Sequence, residues 1–101
     1  MIVTIFRSRL RPGVLDEYAA LAAKMAALAA AMPGFVSARD YVGEDGERVS
    51  IIEFESETAH AAWRDHPRHR AAQRLGRERF YEAYRLQVCR VETDRTVPAR
   101  P

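Results

Sequence analysis

At 101 residues the chain is one domain long, enough for a core of its own and too short for two. Its Lys and Arg total 16 against 14 Asp and Glu, a net charge of +2 that requires no nucleic-acid partner. No apolar stretch is long enough to span a bilayer, and the single Cys89 cannot close an internal disulfide, which favours the cytoplasm.

The start, Met1 to Phe6, lacks a charged leader and cleavage site and reads as a first strand, Ile2 to Arg9, rather than a signal peptide. Arg11-Pro12-Gly13 is a turn. From Val14 to Met32 the apolar period becomes helical, with Leu15, Tyr18, Leu21, Ala22, Met25, Leu28 and Met32 at three- and four-residue steps. Pro33-Gly34 ends that helix. Phe35 to Val42 is a second strand, and Asp45-Gly46 supplies the positive φ of a hairpin into a third, Arg48 to Glu55.

The stretch from Val49 to Gln73 organises the rest. Its β-branched strand stops at Ser56, whose hydroxyl suits a helix N-cap, and a short helix runs to Asp65. That helix carries Trp63, the only tryptophan, and His60; His66 and His69 follow. Pro67 cannot donate a backbone bond but fits the first turn of a new helix, so His66 caps a second helix to about Arg79. Ala71, Ala72 and Leu75 are its expected inner residues. Phe80-Tyr81-Glu82 leads to a fourth strand, Ala83 to Val91, in which Tyr84, Leu86 and Val88 alternate with Arg85, Gln87 and Cys89. Cys89 reads as an inert, buried small hydrophobe.

The order β-α-β-β-α(α)-β is the split, ferredoxin-like α+β arrangement, a four-stranded antiparallel sheet with helices on one face. It is expected over residues 1–92, with 93–101 as a frayed tail. Ile52 and Phe54 share one face of the third strand, Val49 and Ile51 the other; Ile2 and Phe6 oppose Val3 and Ile5 on the first. Helices can cover one of these faces only, so a homodimer through the other is expected.

These residues resemble the antibiotic biosynthesis monooxygenase (ABM) domain of the dimeric α+β barrel superfamily. The likeness lies in I-V-T-I-F-R-S-R-L-R-P-G, M-P-G-F, D-G-E-R-V-S-I-I-E-F-E-S-E, A-A-W-R-D-H-P and F-Y-E-A-Y-R-L-Q-V-C, across about residues 1–92. The resemblance implies a small oxygenase that acts on quinols or anthrone-like molecules with no metal or flavin. Trp63 stands at the family's helix tryptophan. The asparagine that the polyketide-oxidising branch places one turn earlier is Ala59 here. The axial histidine of the haem-degrading branch is Gln73, and its first-strand asparagine is Phe6. Carboxamide is no substitute for imidazole on iron, so haem degradation is not expected.

The candidate catalytic residues are Trp63, as a wall that stacks on a flat substrate, and His66, as a base that titrates near neutrality. Phe6, Phe54, Tyr81 and Tyr84 are the candidate substrate-binding residues. No cysteine neighbours the histidines and no H-E-x-x-H is present, so no metal site is expected. The arginines from Arg64 to Arg79 are spread around their helix and read as a solvated face rather than a nucleic-acid surface. The resulting expectation is a monooxygenase that oxidises a small phenol, quinol or anthrone with O2 and no cofactor, in a homodimer with no membrane partner. The alternative is a non-catalytic dimeric module of the same fold that binds a small ligand or supports a pathway partner.

Overall fold

In the computed structural model, which describes residues 1–98, four antiparallel strands lie in the order β2-β3-β1-β4. They are β1 (Ile2–Leu10), β2 (Phe35–Val42), β3 (Arg48–Phe54) and β4 (Tyr81–Arg90). Helix α1 (Leu15–Ala30) crosses from β1 to β2, and α2 (Glu57–Arg64) and α3 (Pro67–Leu75) connect β3 to β4. This is the expected α+β ferredoxin-like arrangement. Thr93 to Pro98 has no regular structure, and the last three positions of the expected tail lie outside the described residues.

The local signals act as their chemistry requires. The amide of Ala59 donates to the Ser56 hydroxyl at 3.1 Å, capping α2. Gly46 turns the hairpin at φ +86°, and the Arg9–Asp45 ion pair (2.5 Å) ties its tip to β1. Gly34 sits at φ +82°, and a Cβ there would lie 2.5 Å from the Ala59 Cβ, so only glycine lets α2 pack down on this turn.

The largest departure comes after α3. The expected helix to Arg79 stops at Leu75, and residues 76–80 form a π-helical turn that feeds β4 two residues early. A Cβ on buried Gly76 would collide with the Tyr81 ring, so this turn is shaped by a tertiary contact and not by helical propensity. The inner residues also differ from the periodic reading: Ala71 and Leu75 are exposed, as is Leu15 on α1, whereas Ala29 is buried. Cys89 is half-buried rather than buried, because β4 is a sheet edge. The core is Ala29, Phe54 and Trp63, with Met25, Leu28, Met32, Phe35, Ile52 and Ala59 packed around it.

Register divides the sheet into two unlike faces. Ile2, Thr4 and Phe6 stand level with Phe54, Ile52 and Ser50 on one side and with Arg90, Val88 and Leu86 on the other. By strand alternation these side chains share the helix-covered face, while Val3, Ile5, Val49 and Ile51 project from the opposite one. The latter four are half-buried.

Candidate functional site

Between the helices and the sheet lies an open cleft of about 480 Å³. Its sheet side includes Thr4 and Phe6 from β1, Ile52 from β3 and Leu86 and Val88 from β4. Its helix side includes Met25 from α1, His60 and Trp63 from α2, and His69 and Gln73 from α3. Apolar walls with a few convergent polar groups are the usual make-up of a small-molecule site.

One end is built on Trp63. The His69 ring stacks on its indole with centroids 3.8 Å apart and planes 14° from parallel. Nδ1 of His69 lies 3.0 Å from the Trp63 carbonyl oxygen. A carbonyl only accepts, so Nδ1 of the neutral ring carries the proton and Nε2 holds a free lone pair. Gln73 Nε2 lies 3.4 Å from the same Nδ1, and since both then carry hydrogen this is a close approach of two donors and not a hydrogen bond. Burial lowers the His69 pKa from 6.5, partly opposed by the bond to the Trp63 carbonyl. His60, also buried, shares a 3.2 Å hydrogen bond with Thr4 Oγ1, and burial and then Arg64 lower its pKa as well. Both rings are therefore neutral at neutral pH, as a proton acceptor must be.

The other end is aromatic. Phe6 lies 5.2 Å from Tyr81 and 5.7 Å from Tyr84, centroid to centroid, and Tyr18 is 5.8 Å from Phe80 and 6.1 Å from Tyr81. Burial, and then Tyr18, push the Tyr81 phenol above its ordinary pKa of 10.0. Tyr81 therefore stays protonated and can donate a hydrogen bond but not act as a base.

Of the residues expected from sequence, Trp63, Phe6, Tyr81 and Tyr84 all line this cleft. Phe54 does not: it is fully buried in the core, edge-on to Phe35. His66 is also elsewhere, because its Nδ1 accepts the Arg68 amide at 3.1 Å and so caps α3.

A family model described as antibiotic biosynthesis monooxygenase matches residues 1–75. The chain belongs to this family. It is 35% identical over 78 residues to Uncharacterized protein YqjZ of Bacillus subtilis, spanning 77% of this chain and 68% of that protein. Rv0793 from Mycobacterium tuberculosis superposes with a TM-score of 0.83 at 22% identity, over 94% of this chain and 98% of its own. SnoaB from Streptomyces nogalater, described as a cofactor-independent oxygenase and crystallised as an asparagine-to-alanine variant, superposes at 0.79 with 19% identity, over 97% of each chain. At these identities the two solved structures establish the fold.

Within this ABM domain the sequence reading missed His60 and His69 as cleft residues. His60 was within reach, since it lies three positions before Trp63 and helical spacing puts the two on one side of α2. His69 was not, because its stack on Trp63 depends on the angle between α2 and α3 across Pro67. Ala59 packs into the core against Gly34 instead of lining the cleft. Among the described residues, no three His, Cys, Asp or Glu side chains converge as a metal site would require, and no helix is long and apolar enough to cross a membrane.

Proposed function

We propose that this ABM-family chain is a monooxygenase that oxidises a flat phenol, quinol or anthrone with O2 and needs no bound cofactor. The observation that carries the reading is the Trp63–His69 stack, a desolvated aromatic wall whose imidazole leaves Nε2 unprotonated. His69 replaces His66 as the base in this proposal. Its Nε2 takes the acidic proton of the substrate, and the anion formed passes one electron to O2. Recombination of the resulting radical pair gives a peroxide on carbon. For an anthrone methylene, loss of water then leaves a carbonyl, so one oxygen atom stays and the other departs as water. Tyr81 donates to the oxygen on which the anion's charge accumulates.

A twofold dimer through the uncovered sheet face belongs to the same proposal. Val3, Ile5, Val49 and Ile51 support it, since they lie half-buried on a face that the helices leave open.

The test is oxygen uptake by metal-free protein with a panel of anthrones and quinols. Uptake above the spontaneous rate is expected, reduced on the order of 10²-fold or more in His69→Gln, the scale of a lost general base. Uptake no faster than in buffer, with the same compounds still quenching Trp63 fluorescence, would overturn the oxygenase reading in favour of a ligand-binding module.

A further inference from the structure

The cleft carries more positive charge than its own side chains neutralise. Arg48, Arg64 and Arg77 line it, against a single carboxylate, Asp40. Asp40 accepts a 2.6 Å hydrogen bond from Ser50 Oγ, and Arg64 is paired with Asp65 at 3.0 Å. Among the described residues neither Arg48 nor Arg77 enters an ion pair. Arg77 is exposed on the turn after α3, where water is partner enough.

Arg48 is different. It is half-buried on β3, level with Ser8 of β1, and its guanidinium carbon lies 5.5 Å from the centroid of the Tyr18 ring. Contact with an aromatic ring uses the flat of the guanidinium and leaves the N–H edge free. No buried side-chain nitrogen or oxygen among the described residues lacks a partner, so those N–H groups reach solvent and are not sealed off, on a residue that lines the cleft. A planar cation on an aromatic wall, with its donors unused, matches the two oxygens of a carboxylate.

Its position gives the length of the ligand. His60 binds Thr4, level with Ile52, whereas Arg48 is level with Ser8. Four residues of strand separate the two rows, roughly 13 Å. With the Arg48 side chain reaching in from one row, a fused three-ring aromatic acid fits between them, its rings along Phe6 and Tyr81.

We infer that Arg48 selects substrates bearing a carboxylate, so that the cleft takes a flat aromatic acid with its anionic end at Arg48 and its reacting ring against Trp63 and His69. The choice of reacting end rests on the oxygenase reading, whereas the charge preference does not. Trp63, the single tryptophan, reports binding by fluorescence without turnover.

The experiment compares anthracene-2-carboxylate with the neutral anthracene-2-carboxamide, binding to the intact protein, to Arg48→Gln, to Arg48→Lys and to Arg77→Gln. The acid is expected to bind wild-type protein about tenfold or more tightly than the amide, as a charge-assisted bidentate contact would give. Arg48→Gln removes that preference while leaving amide binding within about twofold, Arg48→Lys keeps part of it, and Arg77→Gln keeps all of it. Thermal melts of each variant separate lost folding from lost selectivity, and Arg48→Lys, with its positive charge retained, decides the matter if Arg48→Gln fails to fold. Equal binding of acid and amide, a preference that survives Arg48→Gln, or no binding of either at millimolar concentration would overturn the inference. Selective binding without oxygen uptake leaves Arg48 in its role and removes the oxygenase reading. Oxygen uptake without charge preference does the reverse.

Discussion

The two halves of the helix-covered sheet face begin from similar residues and end in different states. Over β3 and β1, Phe54 is 0% exposed and Ile2 5%, and Trp63 and Ala29 pack against Phe54. On β4 the residues of the same face, Tyr84, Leu86 and Val88, are 50%, 56% and 52% exposed. β4 alternates apolar with polar side chains and β1 and β3 are apolar on both faces, yet all three present apolar residues to the helices, so the residues of the shared face do not distinguish the halves. What distinguishes them is the reach of the helices: α2 is only 8 residues long, and Pro67 turns the chain before it can cover β4. One half becomes a core that fixes the Trp63–His69 pair, and the other is left as the wall of a cleft.

The largest effect that would sharpen this contrast is at Trp63. It is 5% exposed and belongs to the core cluster while also lining the cleft. Trp63→Ala should cost about 3–5 kcal/mol of unfolding free energy in urea titration, the range for deleting a large buried aromatic. It should also remove the ring on which His69 stacks. A loss below about 1 kcal/mol would mean that the Trp63 end is as loosely packed as β4, and the contrast would fail.

The sequence was readable where the signal was local. Ser56, Pro67 and the Asp45-Gly46 hairpin each act through a neighbouring backbone, so the element order follows from them, and alternation gives the faces of β1 and β3. Where a side chain depends on a distant partner, the reading went astray. The turn at 76–80 exists because buried Gly76 accepts the Tyr81 ring, which no propensity encodes. Phe54 alternates correctly toward the helices, yet alternation cannot say whether a helix or a cleft lies above it. Among the histidines, the sequence offers His66 both as a cap and as a base; its Nδ1 is bound to the Arg68 amide, and the cleft holds His60 and His69 instead.

A smaller effect, of opposite promise for the two ends, is pH dependence. His60 and His69 both have pKa values lowered from 6.5, chiefly by burial. Above pH 6.5 these rings are neutral whether the chain is folded or not, so they add no pH dependence. As pH falls below that value the unfolded chain binds protons that the folded rings refuse, and stability declines until pH passes the lowered folded values. The melting temperature should therefore drop between pH 7 and pH 5, and His60→Gln and His69→Gln should each flatten part of that drop. Asp65, held low by its hydrogen bond from Arg64, and Asp45, held low first by the Glu47 amide and then by Arg9, act in a separate window around and below 3.8. A melting temperature that does not change from pH 7 to pH 5 would show that the histidine end is wetter than its packing indicates.

The smallest expected effect lies on β4, and it tests the open half directly. Leu86 and Val88 are about half exposed, so their replacement removes little buried apolar surface from the folded chain. Leu86→Ser should change the unfolding free energy by less than about 0.5 kcal/mol, the usual range for a surface position. Yet both residues line the cleft, so affinity for a flat aromatic ligand, followed by Trp63 fluorescence, should weaken measurably in the same variant. The separation matters more than either value. Stability unchanged and affinity reduced is what an uncovered cleft wall gives. A stability loss above about 1 kcal/mol would mean that something buries Leu86 in solution, and the two halves of the face would then differ only in which element covers them.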